Sequence, residues 1–362
     1  MPPNISGKSQ RKGEIIGPPG DSFLKFQCVG QFVVDTISSG TIEEILMSIL
    51  KQVSFLLVLA QTAFSADLTT IPFESVPLDV QKMVEKENYN SSFIEVDGTV
   101  FYILSRKSGG IPQERIAHSI KLGWPKLHKL LPVNLKQATI IDYDAFLGGG
   151  PMGKFIIGIY TTSTIPLEVG EAAKLITGWQ PRSTSLEYIS TYYGDFTDPV
   201  QAYTDDIVIH ELGHLIFGFG LTEIPNLKDP DGWFCLGMGL VYDRLVFSQV
   251  SSKPSPLFEA IVGIWKEKFA NHLELDQRLI NPDESKDASL GLIRLQTYGH
   301  GKSLVFLNEL RKRIGESLFD SAVLKYILQP RSVKLSYDKF LEFLPSEKKF
   351  VINEVEAELK VR

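Results

Sequence analysis

One short stretch constrains this chain more than any other: Ile207-Val208-Ile209-His210-Glu211-Leu212-Gly213-His214-Leu215-Ile216. It is an apolar run carrying three ionisable side chains as His-Glu-x-x-His. On an α-helix, residues four apart stack one turn above each other on the same face. His210 and His214 can therefore aim two imidazole nitrogens at one cation, and zinc accepts such ligands at ~2.0–2.1 Å. Glu211, beside the first histidine, can reach a water at an open coordination position and take its proton during attack on a carbonyl.

A five-residue pattern of this kind also arises by chance, as two satisfied core histidines on an ordinary helix. The flanks weigh against that. Burying two histidines and a glutamate among Ile, Val and Leu is costly unless they are paired or bound to metal.

The remaining composition narrows the alternatives. A net charge of −6, with no Lys/Arg-rich block, argues against nucleic acid as the main partner. Cys28 and Cys235 are the only cysteines, so no disulfide framework is expected and stability must come from a packed core. There is no internal repeat and no low-complexity tract.

Residues 1–46 show no sustained amphipathic period, and Gly17-Pro18-Pro19-Gly20 reads as loop. From Met47 the pattern is that of a secretory signal over residues 47–66. Lys51 supplies the positive charge, Val53-Ser54-Phe55-Leu56-Leu57-Val58-Leu59-Ala60 the apolar stretch, and Ala63-Phe64-Ser65-Ala66 the small residues for cleavage. The apolar run is shorter than the ~20 residues that span a bilayer, so no stable membrane span is expected after cleavage. The expectation is export to the periplasm or medium, with translation starting at Met47 and residues 1–46 a non-native or disordered extension.

Residues 67–204 read as a mixed α/β lobe. Phe93-Ile94-Glu95-Val96 and Thr99-Val100-Phe101-Tyr102-Ile103-Leu104 flank Asp97-Gly98, a hairpin signal. Residues 112–131 predict a helix that Gly123-Trp124-Pro125 kinks or divides, with His118 and His128 exposed on it. Strands are expected over 138–143 and 155–160, with a glycine-rich turn between them at 148–153, used for close backbone approach to a strand or to an extended peptide. Residues 205–362 read as all-helical. Thr204 and Asp205 are expected to cap the His-Glu-x-x-His helix, and helices follow over 233–250, 257–275, 301–314, 317–328, 337–344 and 347–360. The fold class expected is α+β, an N-terminal lobe with hairpin and edge strand facing a helical lobe.

Three segments together resemble the gluzincin zinc metallopeptidases, most nearly the catalytic domain of the aminopeptidase N family: His210-Glu211-Leu212-Gly213-His214; Trp233-Phe234-Cys235-Leu236-Gly237-Met238-Gly239, which looks like the family's W-L-N-E-G-F-A; and Thr297-Tyr298-Gly299-His300-Gly301-Lys302, similar to its Y-x-K-G. The resemblance covers residue 137 to the C-terminus and implies a zincin-like fold. It implies zinc on His210 and His214, Glu211 as general base, and Tyr298 as hydrogen-bond donor to the developing oxyanion. The metzincin pattern HExxHxxGxxH does not fit, because Phe217 and Gly220 stand where it needs a glycine and a ligand.

Two departures are visible. The family's third zinc ligand is the glutamate of W-L-N-E-G, and here that position is Leu236. Asp243, seven residues on, lies on nearly the same helical face, ~10 Å further along the axis; it either substitutes as a ligand or orients a ligand histidine from behind. Glu223 and Asp231 are weaker candidates for the third ligand. The second departure is Gly153, which stands where the glutamate of the family's GAMEN segment holds the substrate's amine, so aminopeptidase specificity is not implied. The function expected is an exported zinc peptidase acting on a peptide or protein. The alternative is a pseudopeptidase, weak or inactive, that serves as a peptide-binding or envelope interaction module; Leu236 is the feature behind it.

Overall fold

The computed structural model describes residues 68–143, 148–160, 193–217, 231–251, 301–329 and 336–361, with positions 253, 255, 262 and 278–280. The signal-like segment 47–66, Glu223, the expected helix over 257–275 apart from position 262, Tyr298 and His300 lie outside these residues.

The first described half is a six-stranded mixed sheet. Its strands are β1 (Thr69–Thr70), β2 (Tyr89–Val96), β3 (Thr99–Arg106), β4 (Gln137–Tyr143), β5 (Gly148–Gly153) and β6 (Ile156–Tyr160), in the spatial order β1-β2-β3-β4-β6-β5. A short helix, α1 (Leu78–Gln81), precedes β2. The β2–β3 hairpin turns on Asp97 and Gly98, both at positive φ (48° and 74°), as a two-residue type I′ turn requires. A longer helix, α2 (Gln113–Leu130), carries the chain from β3 to β4, which pair in parallel. It is continuous through Pro125, rather than divided there.

Strand alternation sorts the apolar residues onto two faces. Ile103, Ile140, Ile157 and Ile159 enter the main core, whereas Leu104, Ile141 and Ile156 point to a smaller cluster with Phe73, Val76 and Val80. Both faces are therefore covered near the centre of the sheet.

The glycine-rich segment differs from expectation. Gly148–Gly153 is not a turn but the strand β5, antiparallel to β6, with a register shift between Pro151 and Gly153. Glycines pair poorly on their own account; the neighbouring β6 supplies the ladder. Their backbone thus approaches a strand closely, and β5 forms the edge of the sheet.

The helical part consists of α3 (Pro199–Ile216), α4 (Gly232–Val250), α5 (Ser303–Ile314), α6 (Glu316–Ile327), α7 (Tyr337–Leu341) and α8 (Lys349–Glu358). Packing runs in sequence from the sheet to α2, then α3, α4 and α5, and from α5 to α8. α3 also lies against β5 and β6. Sheet and helices share one continuous hydrophobic core, in an α+β architecture.

α3 begins five residues earlier than Thr204. Asp198 is its N-cap, accepting from Gln201 N at 3.0 Å, and Pro199 takes the first turn, where its missing N–H costs nothing. Thr204 and Asp205 are inside the helix: Thr204 Oγ1 donates to Val200 O, and Asp205 Oδ1 accepts from Ser119 Oγ and Gln201 Nε2. His118 and His128, expected to be exposed, are half-buried, and His128 stacks on Trp124 with centroids 5.8 Å apart.

Candidate metal centre

α3 is buried on nearly every side. From Asp206 to Ile216 no residue is exposed, because α2, α4 and the β5–β6 edge surround it. His210, Glu211 and His214 are thus held in the core, at 8%, 0% and 3% exposure.

The two imidazoles face each other. Their planes meet at 87°, their centroids are 4.5 Å apart, and Nε2 of His210 lies 3.2 Å from Nε2 of His214. Two nitrogens bound tetrahedrally at zinc's usual lengths stand roughly 3.3–3.4 Å apart, so the observed separation matches a shared cation within a few tenths of an ångström. Without a cation, one Nε2–H donates to the other Nε2.

Asp243 approaches from the far side of the first ring. Its Oδ2 is 2.6 Å from Nδ1 of His210. An Nδ1–H donated to this carboxylate leaves Nε2 as the lone-pair nitrogen, the tautomer a metal ligand needs. Burial pushes His210 below the usual imidazole range and Asp243 well above the usual carboxylate range.

Glu211 is the anomaly of the core. Neither carboxylate oxygen has a hydrogen-bond partner among the described residues. Burial raises its pKa to about 7, opposed by His210 and assisted by Asp243. Its Oε1 is 3.7 Å from Nε2 of His210, on the side where the two ring nitrogens converge. A buried carboxyl group without partners carries a desolvation penalty that a bound ligand would relieve.

The α3–α4 crossing sets these distances. Asp243 meets His210 and Gly239 meets His214, so the helices run antiparallel through the site. Sequence reasoning missed the role of glycine here: a Cβ on Gly213 would lie 2.8 Å from Gly239 O. On the other flank, a Cβ on Gly123 of α2 would lie 2.6 Å from Ile209 Cγ1, so α2 also approaches α3 through a glycine. The small residues were visible in the sequence, but nothing in it said which helices they face.

Leu236, at the position of the family's third ligand, and the weaker candidate Asp231 lie on α4 and at its start. Leu236 is buried on α4, one turn before Gly239, and is apolar. Asp231 begins α4 and accepts from Tyr337 N at 3.4 Å. Among the described residues no group of three or more His, Cys, Asp or Glu side chains is disposed to hold a metal ion. The donor set that does converge is the two imidazoles, with Glu211 beside them. This set fits a cation held by two protein nitrogens.

No family model matches the chain, and no curated protein matches it. Among solved structures it is similar to an M1 zinc metallopeptidase from Deinococcus radiodurans, at 13% identity and a TM-score of 0.42, covering 81% of this chain and 50% of that one. A mutant of an M1 zinc metallopeptidase from the same organism, bound to a Tyr-Ser-Ala substrate, gives 12% identity and 0.43, covering 75% and 50%. A two-domain M1 zinc metallopeptidase mutant bound to L-tryptophan gives the same values. The chain spans about half the length of these structures.

Proposed function

We propose that this chain is an exported, zinc-dependent peptidase of zincin-like fold. The observation that carries the reading is the facing pair of Nε2 atoms, 3.2 Å apart, beside the carboxylate of Glu211, which has no hydrogen-bond partner among the described residues. His210 and His214 would hold the metal, and the chemistry it supplies when bound is polarisation of a water and of the scissile carbonyl.

Glu211 accepts a proton from the attacking water on Oε1 and delivers it to the amide nitrogen as the C–N bond breaks. Asp243 keeps Nδ1 of His210 protonated and the ring fixed, acting from behind the ligand rather than as one. Tyr298 is assigned the oxyanion hydrogen bond on the resemblance of its segment alone. An extended peptide would lie along β5, the edge strand beside α3, taking main-chain hydrogen bonds there.

Export rests on the signal pattern beginning at Met47. No described helix is long and apolar enough to cross a membrane.

Leu236 is the specific observation on the side of a pseudopeptidase, since catalytic zinc sites ordinarily have three protein ligands. Metal analysis and a peptide-cleavage assay separate the two. The enzyme reading expects about one zinc per chain and cleavage abolished in Glu211→Gln. A purified, folded chain that takes up no zinc from solution and cleaves nothing would overturn it.

A further inference from the structure

The seat of His214 is built from backbone rather than side chain. A Cβ placed on Gly239 would meet Nδ1 of His214 at 2.7 Å, Cε1 at 2.9 Å and Cγ at 3.6 Å, and these are the three nearest atoms. Real Cβ contacts essentially never fall below 3.0 Å, so any side chain at this position must displace the ring. Gly239 is helical, in the middle of α4, where glycine is disfavoured by roughly 1 kcal/mol relative to alanine. No φ in the left-handed region requires glycine there. The helix carries a glycine where its backbone lies against the second imidazole.

We propose that Gly239 is a positioning residue for His214, its missing side chain fixing the ring so that Nε2 meets Nε2 of His210. The ring lies against the bare backbone of α4, and a rotation about either χ angle would move Nε2 away from its partner. This deepens the zinc reading and rests on it for its consequence in metal binding, but the contact itself is independent of any metal.

The test compares Gly239→Ala with Gly237→Ala. A Cβ on Gly237 would also be crowded, but by Ser303 Oγ at 2.7 Å and Leu307 Cδ1 at 2.8 Å on α5. Each substitution is made in the parent and in a His214→Ala background, and the thermal midpoint is read without metal. Gly239→Ala is expected to lower the midpoint by several degrees in the parent and by far less once the ring is gone. Gly237→Ala is expected to lower it equally in both. If Gly239→Ala does not fold in the parent, its folding in the His214→Ala background supports the proposal and its failure there overturns it. In the parent, zinc affinity by chelator competition should fall about 10–100-fold for Gly239→Ala and stay within threefold for Gly237→Ala. Equal thermal losses for Gly239→Ala in both backgrounds, or unchanged zinc affinity in a parent that binds zinc, would overturn the proposal. A parent that binds no zinc defeats the zinc reading, and the thermal comparison still decides the seat of the ring.

Discussion

Oδ2 of Asp243 lies 2.6 Å from Nδ1 of His210, and this contact turns the opposite nitrogen of the ring toward His214. The carboxylate is on α4 and the imidazole on α3, so the orientation of the ligand is fixed by helix packing. Asp243→Asn keeps the shape but not the charge. Zinc affinity, measured by chelator competition, should fall about 10–100-fold while the thermal midpoint of the metal-free protein stays close to the parent's. A fall in midpoint with unchanged affinity would assign Asp243 to stability alone.

Leu236, Gly239 and Asp243 recur at helical spacing on one face of α4, the face that meets the two histidines. Leu236→Glu therefore adds a carboxylate to the face of α4 that meets the histidines. In the metal-free protein this buried acid should lower the thermal midpoint. Zinc should restore the midpoint and bind at least about tenfold more tightly than to the parent, as a third ligand completes the usual set. Loss of stability that zinc does not repair would place this position away from the imidazoles.

Asp198 caps α3 and also receives Arg115 Nη1 of α2 at 2.7 Å. Burial pushes its carboxyl group up, but the Gln201 N–H and the Arg115 guanidinium outweigh that and hold it below the usual carboxylate range. A depressed folded pKa stabilises the protein above the ordinary value of ~3.9, and that contribution is lost as pH falls through the folded pKa. Asp198→Ala should cost about 1 kcal/mol in urea denaturation at pH 7. The difference from the parent should shrink as the pH drops below about 4. A constant difference across that window would remove the charge from the explanation.

Gly123 admits α2 to the other flank of α3. Gly123→Ala should destabilise by about 1–3 kcal/mol, because Ile209 must move. Ile209→Ala added to it should recover part of the loss, and urea denaturation of the single and double variants measures the coupling. Strict additivity would show that the two side chains do not share the space.

Much of this arrangement could be read from residues alone, and for identifiable reasons. Three ionisable groups in an apolar run are a costly anomaly, so the His210–Glu211–His214 helix stands out in any single sequence. Asp97-Gly98 dictates its own turn, and the alternation of β3 and β4 assigns their faces. Asp198-Pro199 was an available start signal for α3, and the polar pair Thr204-Asp205 obscured it. The strand at Gly148–Gly153 was not legible, because glycine has no strand preference and β6 imposes the pairing. Nor was the choice for Asp243 between ligand and orienter, which depends on the distance between two helices. The same limit hid Gly239, whose meaning lies in the ring that packs against it.

X-ray absorption at the zinc K edge, on the full chain loaded with one equivalent of zinc, tests the central claim most directly. The spectrum should show imidazole scattering from two histidines at ~2.0–2.1 Å and oxygen or nitrogen in the remaining positions, with one imidazole lost in His214→Ala. Sulfur scattering near ~2.3 Å, or a spectrum that His210→Ala and His214→Ala leave unchanged, would contradict it.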